Sequence, residues 1–370
     1  MKPKILITGG AGFIGSHLAT ELLKSGYLVR VLDKLDQQVH HGNQRPAYLD
    51  DEVELQIGDV CDRDQVKRAL KGVDMVCHLA AAVGVGQSMY EIARYTLNND
   101  VGTAVLLEEF VASDIRRLLV ASSMSIYGEG LARAGNRLIE PAPRSLEQLK
   151  SGRWELGMAS GDPLEPVPTP ESKSPALHSV YALNKYAQER MPLIIGSAYN
   201  REVVAMRFFN VYGPHQALSN PYTGVLAIFG ARLLNCRPPM IFEDGLQRRD
   251  FVHVRDVATA CRLALESPRA PGRVFNVGSG QSRTILELAQ RMARVMGRQE
   301  IAPHVTGKYR AGDIRHCFAD ITLARELLGF TPKIQFDDGL AELVGWLMQQ
   351  RATDAVEQAT NELSRRGLVA

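Results

Sequence analysis

The chain has 370 residues, 45% of them hydrophobic, and carries Lys+Arg 43 against Asp+Glu 41 for a formal net charge of +2. That length suits one large α/β unit or two coupled lobes, and the balanced charge gives no electrostatic case for nucleic acid or a membrane surface as partner. Cys61, Cys77, Cys236, Cys261 and Cys317 form no Cys-x-x-Cys pair, which argues for reduced thiols rather than a disulfide frame or zinc knuckle.

No apolar run approaches membrane-spanning length, and "MKPKILITGG" enters a strand directly rather than a cleavable signal. The expectation is a soluble cytoplasmic protein. In "KILITGGAGFIGSHLATELLKSG" a short apolar strand runs into glycines. Ile14, Leu18 and Leu22 then recur at helical spacing, and Gly26 is placed to end that helix. "YLVRVLD" predicts a second strand closing on Asp33. Gly9, Gly12 and Gly15 make GxxGxxG, and Gly10, Gly12 and Gly15 also fit GxGxxG. Absent side chains at such a turn let the backbone approach a pyrophosphate lodged at the helix N-terminus. Asp33 is placed to accept ribose hydroxyls and to repel a 2′-phosphate, which favours NAD over NADP, with Lys34 beside it acting against that preference. A bare glycine motif also fits a turn that binds nothing. Here strand, turn, helix, strand and acid occur together within one βαβ length.

Strand–helix alternation continues. "VELQIGDV" predicts a strand ending at Asp59, "VDMVCHLAAAVG" another, and "NNDVGTAVLLEEFVAS" a helix leading to the strand "RRLLVASS". This order predicts a parallel sheet with ligands at the strands' carboxyl ends, near which Asp59, Ala80, Ala81, Asn99 and Ser122 all fall. Further on, "YALNK" sets Tyr181 and Lys185 one helical turn apart on one face. His40 and His41, the adjacent histidine pair, read as part of a solvated loop rather than a metal site.

The ordered set "TGGAGFIG", "GDV", "HLAA", "NNDVGT", "SSMSIYG", "YALNK", "RFFNVYGP", "RRDFVHVRDV", "FNVGSG" and "YRAGD" resembles the extended short-chain dehydrogenase/reductases. Within them it is similar to the NAD-dependent sugar-nucleotide epimerase/dehydratase family, over residues 1 to about 346. The resemblance implies an α/β fold, a Rossmann-type doubly wound parallel sheet with a smaller C-terminal α/β substrate-binding lobe. The NAD-binding domain would span 1–206 with an inserted flap at about 131–175. The substrate lobe would span 207–350, with about 250–270 returning to the first domain, and 351–370 would form a polar helical tail.

By the same resemblance Tyr181 is the acid/base, Lys185 its electrostatic partner and Ser123 the third catalytic member. NAD contacts are implied at Gly9, Gly12, Phe13, Ile14, Gly15, Asp33, Asp59, Val60, Leu79, Ala80, Ala81, Asn99, Ser122, Tyr181 and Lys185. Substrate contacts are implied at Ser123, Ser125, Asn210, Arg249, Arg310 and Asp313, the two arginines serving as a pyrophosphate clamp. No metal ligand is implied. A phenol is a poor base near neutrality, so the expectation is that the Lys185 ammonium, with the positive nicotinamide of NAD⁺, favours the Tyr181 phenolate.

Met124 and Ser125 stand where hexose 4,6-dehydratases carry an Asp-Glu pair. Neither can expel water, and the Glu typical of decarboxylating relatives is also missing, so the resemblance implies a nucleotide-sugar 4-epimerase. Dehydratase, decarboxylase and 4-ketoreductase chemistry remain as alternatives, and a non-catalytic NAD-binding regulator is a more distant one. Between Ser123 and Tyr181 lies an extra stretch rich in Pro and Gly, with Trp154, Leu156 and Leu164 supplying apolar surface. It reads as a folded flap beside the substrate cleft or as an inert surface excursion. Its "GRWEL", "GMASG" and "PLEPVPTPE" are similar to an insert of dTDP-rhamnose-type 4-epimerases, which favours a dTDP- or UDP-hexose. The resemblance also places Cys317 near the sugar. It implies a homodimer through the helices containing Leu106-Leu107 and Tyr186-Ala187. A tail stripe of Ala352, Ala355, Val356, Ala359 and Leu363 is expected to pack on the body or a partner.

Overall fold

A computed structural model describes residues 2–40, 42, 44–158, 164–216, 224–310, 312–350 and 356–369, without the side chains of 356–360. The first half lays down β1 (Lys4–Thr8), β2 (Leu28–Asp33), β3 (Glu54–Ile57), β4 (Met75–His78) and β5 (Arg117–Ser123). Between them run α1 (Phe13–Lys24), α2 (Arg63–Leu70), the short α3 (Val85–Ser88) and α4 (Ile92–Tyr95), and α5 (Gly102–Val111). A π-helical turn, Thr96–Val101, joins α4 to α5. The insert supplies β6 (Ala132–Ala134), β7 (Arg137–Ile139), α6 (Leu146–Lys150) and β8 (Glu165–Pro166).

After α7 (Val180–Ala198) come β9 (Glu202–Phe208), β10 (Asn210–Tyr212), α8 (Val225–Leu234), β11 (Met240–Ile241) and β12 (Arg248–His253). Then follow α9 (Val254–Glu266), β13 (Val274–Val277), β14 (Ser282–Thr284), α10 (Ile285–Val295), β15 (His304–Val305) and β16 (His316–Cys317). The chain closes with α11 (Thr322–Leu328), α12 (Phe336–Leu347) and α13 (Val356–Arg365).

Seven strands pair in parallel in the order β13-β9-β5-β4-β1-β2-β3. This is the Rossmann arrangement: the order reverses beside β1 and opens a crevice at the strands' carboxyl ends. Ile5, Leu6 and Ile7 of β1 are wholly buried, as a strand covered by helices on both faces requires. α1 ends at Ser25, and Gly26 follows at φ +88°, the left-handed step that releases the helix. Leu18, Ala19 and Leu22 of α1 share a buried cluster with Val257, Ala258, Cys261 and Ala264 of α9. The small residues let the two helices approach, and each fully buried leucine contributes roughly 1.5–3 kcal/mol.

The lobes therefore interleave in sequence. β9 belongs to the large sheet as far as Phe208, and the returning segment extends through β13 at that sheet's edge. A second core joins Leu226, Phe229 and Leu233 of α8, Leu288 and Met292 of α10, and Leu340, Leu343 and Leu347 of α12. It carries the small sheet of β10, β12, β14 and β16.

The insert is folded. β7, β6 and β8 form an antiparallel sheet over Ala132, Leu156 and Leu164, while residues 159–163, including part of GMASG, lie outside the described residues. Thr169 bridges to Ala319, and the Gly130 N–H donates to the His316 carbonyl at 2.7 Å, so the insert runs along the second lobe. In the tail, Leu363 and Val369 are buried and Val369 pairs with Arg310. Ala352 and Ala355 lie outside the described residues, and so do the side chains of Val356 and Ala359. Among the described residues, no helix is long and apolar enough to cross a membrane.

Candidate active site

A cavity of about 400 Å³ opens at the carboxyl ends of the parallel strands. One end is the glycine turn between β1 and α1. Gly9 sits at φ +70°, and a Cβ there would lie 2.8 Å from the Ala80 Cα. A Cβ on Gly15 would meet the Gly9 carbonyl oxygen at 2.4 Å. No side chain caps α1 at Gly12, so its first N–H groups face the cavity, with the positive end of the helix dipole behind them. Asp33 reaches the same wall from β2. Its carboxylate accepts from Ala11 N at 3.0 Å and Leu35 N at 2.9 Å, and each oxygen keeps further accepting capacity. Glycines that admit backbone contact, uncapped N–H groups and a facing carboxylate together fit a dinucleotide.

Of the residues expected at the cofactor, Gly9, Gly12, Phe13, Ile14, Gly15, Asp33, Asp59, Val60, Leu79, Ala80, Ala81, Ser122, Tyr181 and Lys185 line this cavity. Asn99 stands behind it. Wholly buried in the π turn, it accepts from Ala82 N at 2.7 Å and donates to the Ala82 carbonyl at 3.1 Å, bracing a residue that does line the cavity. Ser122 also has a supporting bond, donating to Glu189 Oε2 at 2.7 Å. Glu189 in turn holds Arg207 through two contacts, of 2.7 and 2.8 Å.

α7 brings Tyr181 and Lys185 to the cavity. Ser179 caps the helix by accepting from Ala182 N, and the Tyr181 N–H donates to Ser88 Oγ at 3.0 Å. The Ser123 hydroxyl hydrogen-bonds Tyr181 and is bonded by Ser125 Oγ at 3.0 Å. Burial pushes the Tyr181 phenol up to about 12, with the Ser123 bond acting in the lowering direction. Burial also pulls the Lys185 ammonium down to about 7. Lys185 Nζ donates to the Ala121 carbonyl at 2.8 Å and to Gln188 Oε1 at 2.9 Å. The expected phenolate is thus not a property of the protein by itself. Burial disfavours both charges, and the Lys185 hydrogens are turned onto two neutral acceptors.

Gln188 escaped the sequence reading. It leads into a buried polar chain: Gln188 Nε2 donates to Thr103 Oγ1 at 3.0 Å, and Thr103 meets His78 Nε2 at 2.9 Å. His78 Nδ1 then meets Thr8 Oγ1 at 2.7 Å. Burial and the nearby Lys185 hold His78 down to about 3, so it stays neutral. The available signal was a glutamine three residues after Lys185, on the same helical face.

The second lobe gives the cavity Asn210, Tyr212, Gln216 and Phe251. Asn210 Oδ1 has no hydrogen-bond partner. Ser125, Arg249, Arg310 and Asp313 are not in the lining. Arg249 Nη1 donates to the carbonyls of Arg248 and Arg315, while Nη2 donates to the Ile314 carbonyl and lies 3.5 Å from Asp313 Oδ1. Arg310 lies over the Phe242 ring at 4.1 Å. Cys317 lies fully buried in an apolar cluster with Met124, Ile126 and Phe209 and is not in the cavity lining. His40 is buried beside Asp33 at 3.9 Å, not in a solvated loop; His41 lies outside the described residues. No insert residue lines the cavity among the described residues.

A parallel sheet with a glycine turn, a facing acid, a buried Tyr–Lys pair and a half-buried serine defines a dinucleotide-dependent Rossmann enzyme. Residues 5–146 and 158–278 match the NAD dependent epimerase/dehydratase family, and the chain belongs to it. A dTDP-L-rhamnose 4-epimerase of Burkholderia thailandensis is 35% identical over 94% of this chain and 95% of its own length. The UDP-glucose 4-epimerase of Thermotoga maritima with UDP-glucose superposes with a TM-score of 0.77 at 30% identity, covering 94% of this chain and 99% of that one. The Thermus thermophilus UDP-glucose 4-epimerase complex with NAD gives 0.75 at 29% identity, covering 94% and 100%. The unmatched stretch 147–157 falls inside the insert.

Proposed function

We propose that this protein is an NAD-dependent nucleotide-sugar 4-epimerase acting on a dTDP- or UDP-hexose, with the dTDP-L-rhamnose type favoured. The carrying observation is that the Tyr181–Ser123 pair and the glycine turn open on one cavity that Asn210 of the second lobe also lines. NAD⁺, held at the glycine turn and Asp33, would supply the hydride acceptor and donor. The chain's own residues manage the proton. Ser123 holds the sugar C4 hydroxyl against Tyr181, and Tyr181 takes its proton as the carbinol becomes a ketone and gives it back on the return step. Burial pulls the Lys185 ammonium down, so its charge responds to what enters the cavity.

Met124 and Ser125 hold the positions where elimination would need an acid and a base. Met124 is buried in an apolar cluster and Ser125 is bonded to Ser123, so the site is equipped for hydride and proton transfer at one carbon. Asn210, Arg249, Arg310 and Asp313 then serve the nucleotide diphosphate, with Arg249 and Arg310 turning toward it from their present partners. The protein acts in the cytoplasm, supplying activated hexoses for polysaccharide assembly. It works as a homodimer: Leu97 and Val101 of the π turn and Leu183 and Ile194 of α7 are exposed, whereas Leu106 and Leu107 face the core.

The test is incubation of the purified protein with dTDP-, UDP- and GDP-hexoses, resolving products by chromatography while following reduced-nicotinamide absorbance. A C4 epimer forming at steady absorbance is expected. A dehydrated or decarboxylated product, or a steadily changing trace, would overturn the reading.

A further inference from the structure

We propose that the insert is a buttress for residues 309–316, with Arg144 and Glu155 as positioning residues for the nucleotide end of the substrate. The inference rests on the epimerase reading for the role of Arg310 and Asp313. The alternatives of a lid and an inert excursion both fit the connections less well.

A single guanidinium makes the join. Arg144, its side chain 2% exposed, donates through Nη1 to Glu243 Oε1 at 2.8 Å and to the Trp154 carbonyl at 3.3 Å. Through Nη2 it donates to the Asp313 carbonyl at 3.0 Å. One planar group therefore ties the insert, the turn after β11 and the segment carrying Asp313. Glu155 reaches the same segment two residues on. Its carboxylate accepts from Arg315 Nε at 3.1 Å and bonds His316 Nε2 at 2.9 Å. Arg315 is wholly buried and also holds Glu243 at 3.0 Å. Glu129, at the insert's entry, accepts from the backbone N–H groups of both Arg315 and His316.

The segment 313–316 is thus held from the insert side by charge-assisted bonds, buried at Arg144 and Glu129 and solvent-exposed at the Glu155 carboxylate. Trp154 adds an apolar prop against Tyr309, their ring centroids 6.4 Å apart. Arg310 follows Tyr309 directly, and Asp313 Oδ1 lies 3.5 Å from Arg249 Nη2. Trp154 and Glu155 lie in 147–157, a stretch that the family match leaves out, whereas Arg144 lies within the match. An inert excursion has no need to bury charges against the segment it touches. A lid would reach the cavity lining, which no insert residue does among the described residues.

The experiment compares wild type with Arg144→Ala and Arg144→Lys by calorimetric binding of dTDP, UDP and NAD, and by kcat and KM on the sugar nucleotide that wild type converts. Arg144→Ala is expected to weaken nucleoside-diphosphate binding and raise KM about tenfold, with kcat and NAD binding within about twofold. Arg144→Lys restores part of the loss, since it keeps the charge but not the fork. Should Arg144→Ala not fold, the charge-balanced Arg144→Met/Glu243→Gln pair decides by the same criteria. Unchanged diphosphate binding and KM in a folded variant overturn the buttress while leaving the epimerase reading intact. A wild type that converts no nucleotide sugar defeats that reading, and the dTDP and UDP titrations then decide the buttress alone.

Discussion

Replacing Lys185 with Met separates what the residue does for stability from what it does for turnover. Its ammonium is buried and held down to about 7 from an ordinary 10.5, with burial as the cause. The charged form is the one that folding disfavours. The penalty is therefore absent above about 10.5, grows as pH falls, and is complete below about 7. The gap corresponds to about 5 kcal/mol at its fullest. Against it stand the donors lost to the Ala121 carbonyl and Gln188 Oε1, about 1–3 kcal/mol for each acceptor left bare. That loss is common to every pH, so the pH dependence of the difference isolates the charge.

Thermal melts of the cofactor-free proteins, followed by circular dichroism from about pH 7 to about pH 9.5, make the measurement. Wild type should gain about 3 kcal/mol relative to Lys185→Met across that range, seen as a shift of several degrees in the Tm difference. Turnover of the variant should be lost at both ends. A Tm difference that stays constant across the range would refute the argument that burial suppresses this charge.

Tyr181→Phe should lower kcat by roughly 10²–10⁴ while NAD binding, followed by protein fluorescence, stays near wild type. Gly15→Ala drives a Cβ into the Gly9 carbonyl and the Gly10 backbone, at 2.4 and 2.5 Å. The turn must open, so NAD titrations should show affinity falling more than tenfold, with about 1–3 kcal/mol lost in denaturant unfolding. Arg207→Met leaves the wholly buried Glu189 carboxylate without its forked partner. Unfolding should register a loss of about 3–5 kcal/mol, and adding Glu189→Gln should recover part of it.

Much of the site was legible because its chemistry is local in sequence. The glycine turn, the acid at the end of β2 and the one-turn spacing of Tyr181 and Lys185 are each fixed by residues a few positions apart. Strand–helix alternation then determined a parallel sheet, and with it the end of the sheet where these groups meet. Other facts depend on residues brought together from far apart. Asn99 resembles a lining residue in its motif, yet the π turn sets it behind Ala82 as a brace. Cys317 sits in a motif that the resemblance places near the sugar, yet its side chain is buried with Met124 and Phe209 and stays out of the cavity lining.

By itself the sequence determined the strand–helix order, the cofactor turn and the one-turn spacing of Tyr181 and Lys185, since periodicity and short motifs act over one or two turns of chain. Tertiary structure alone decided the burial of Tyr181 and Lys185 and the partners of the insert. Burial comes from the whole surrounding core, and a buried guanidinium such as Arg144 takes its partners from Glu243 and Asp313, 99 and 169 positions away.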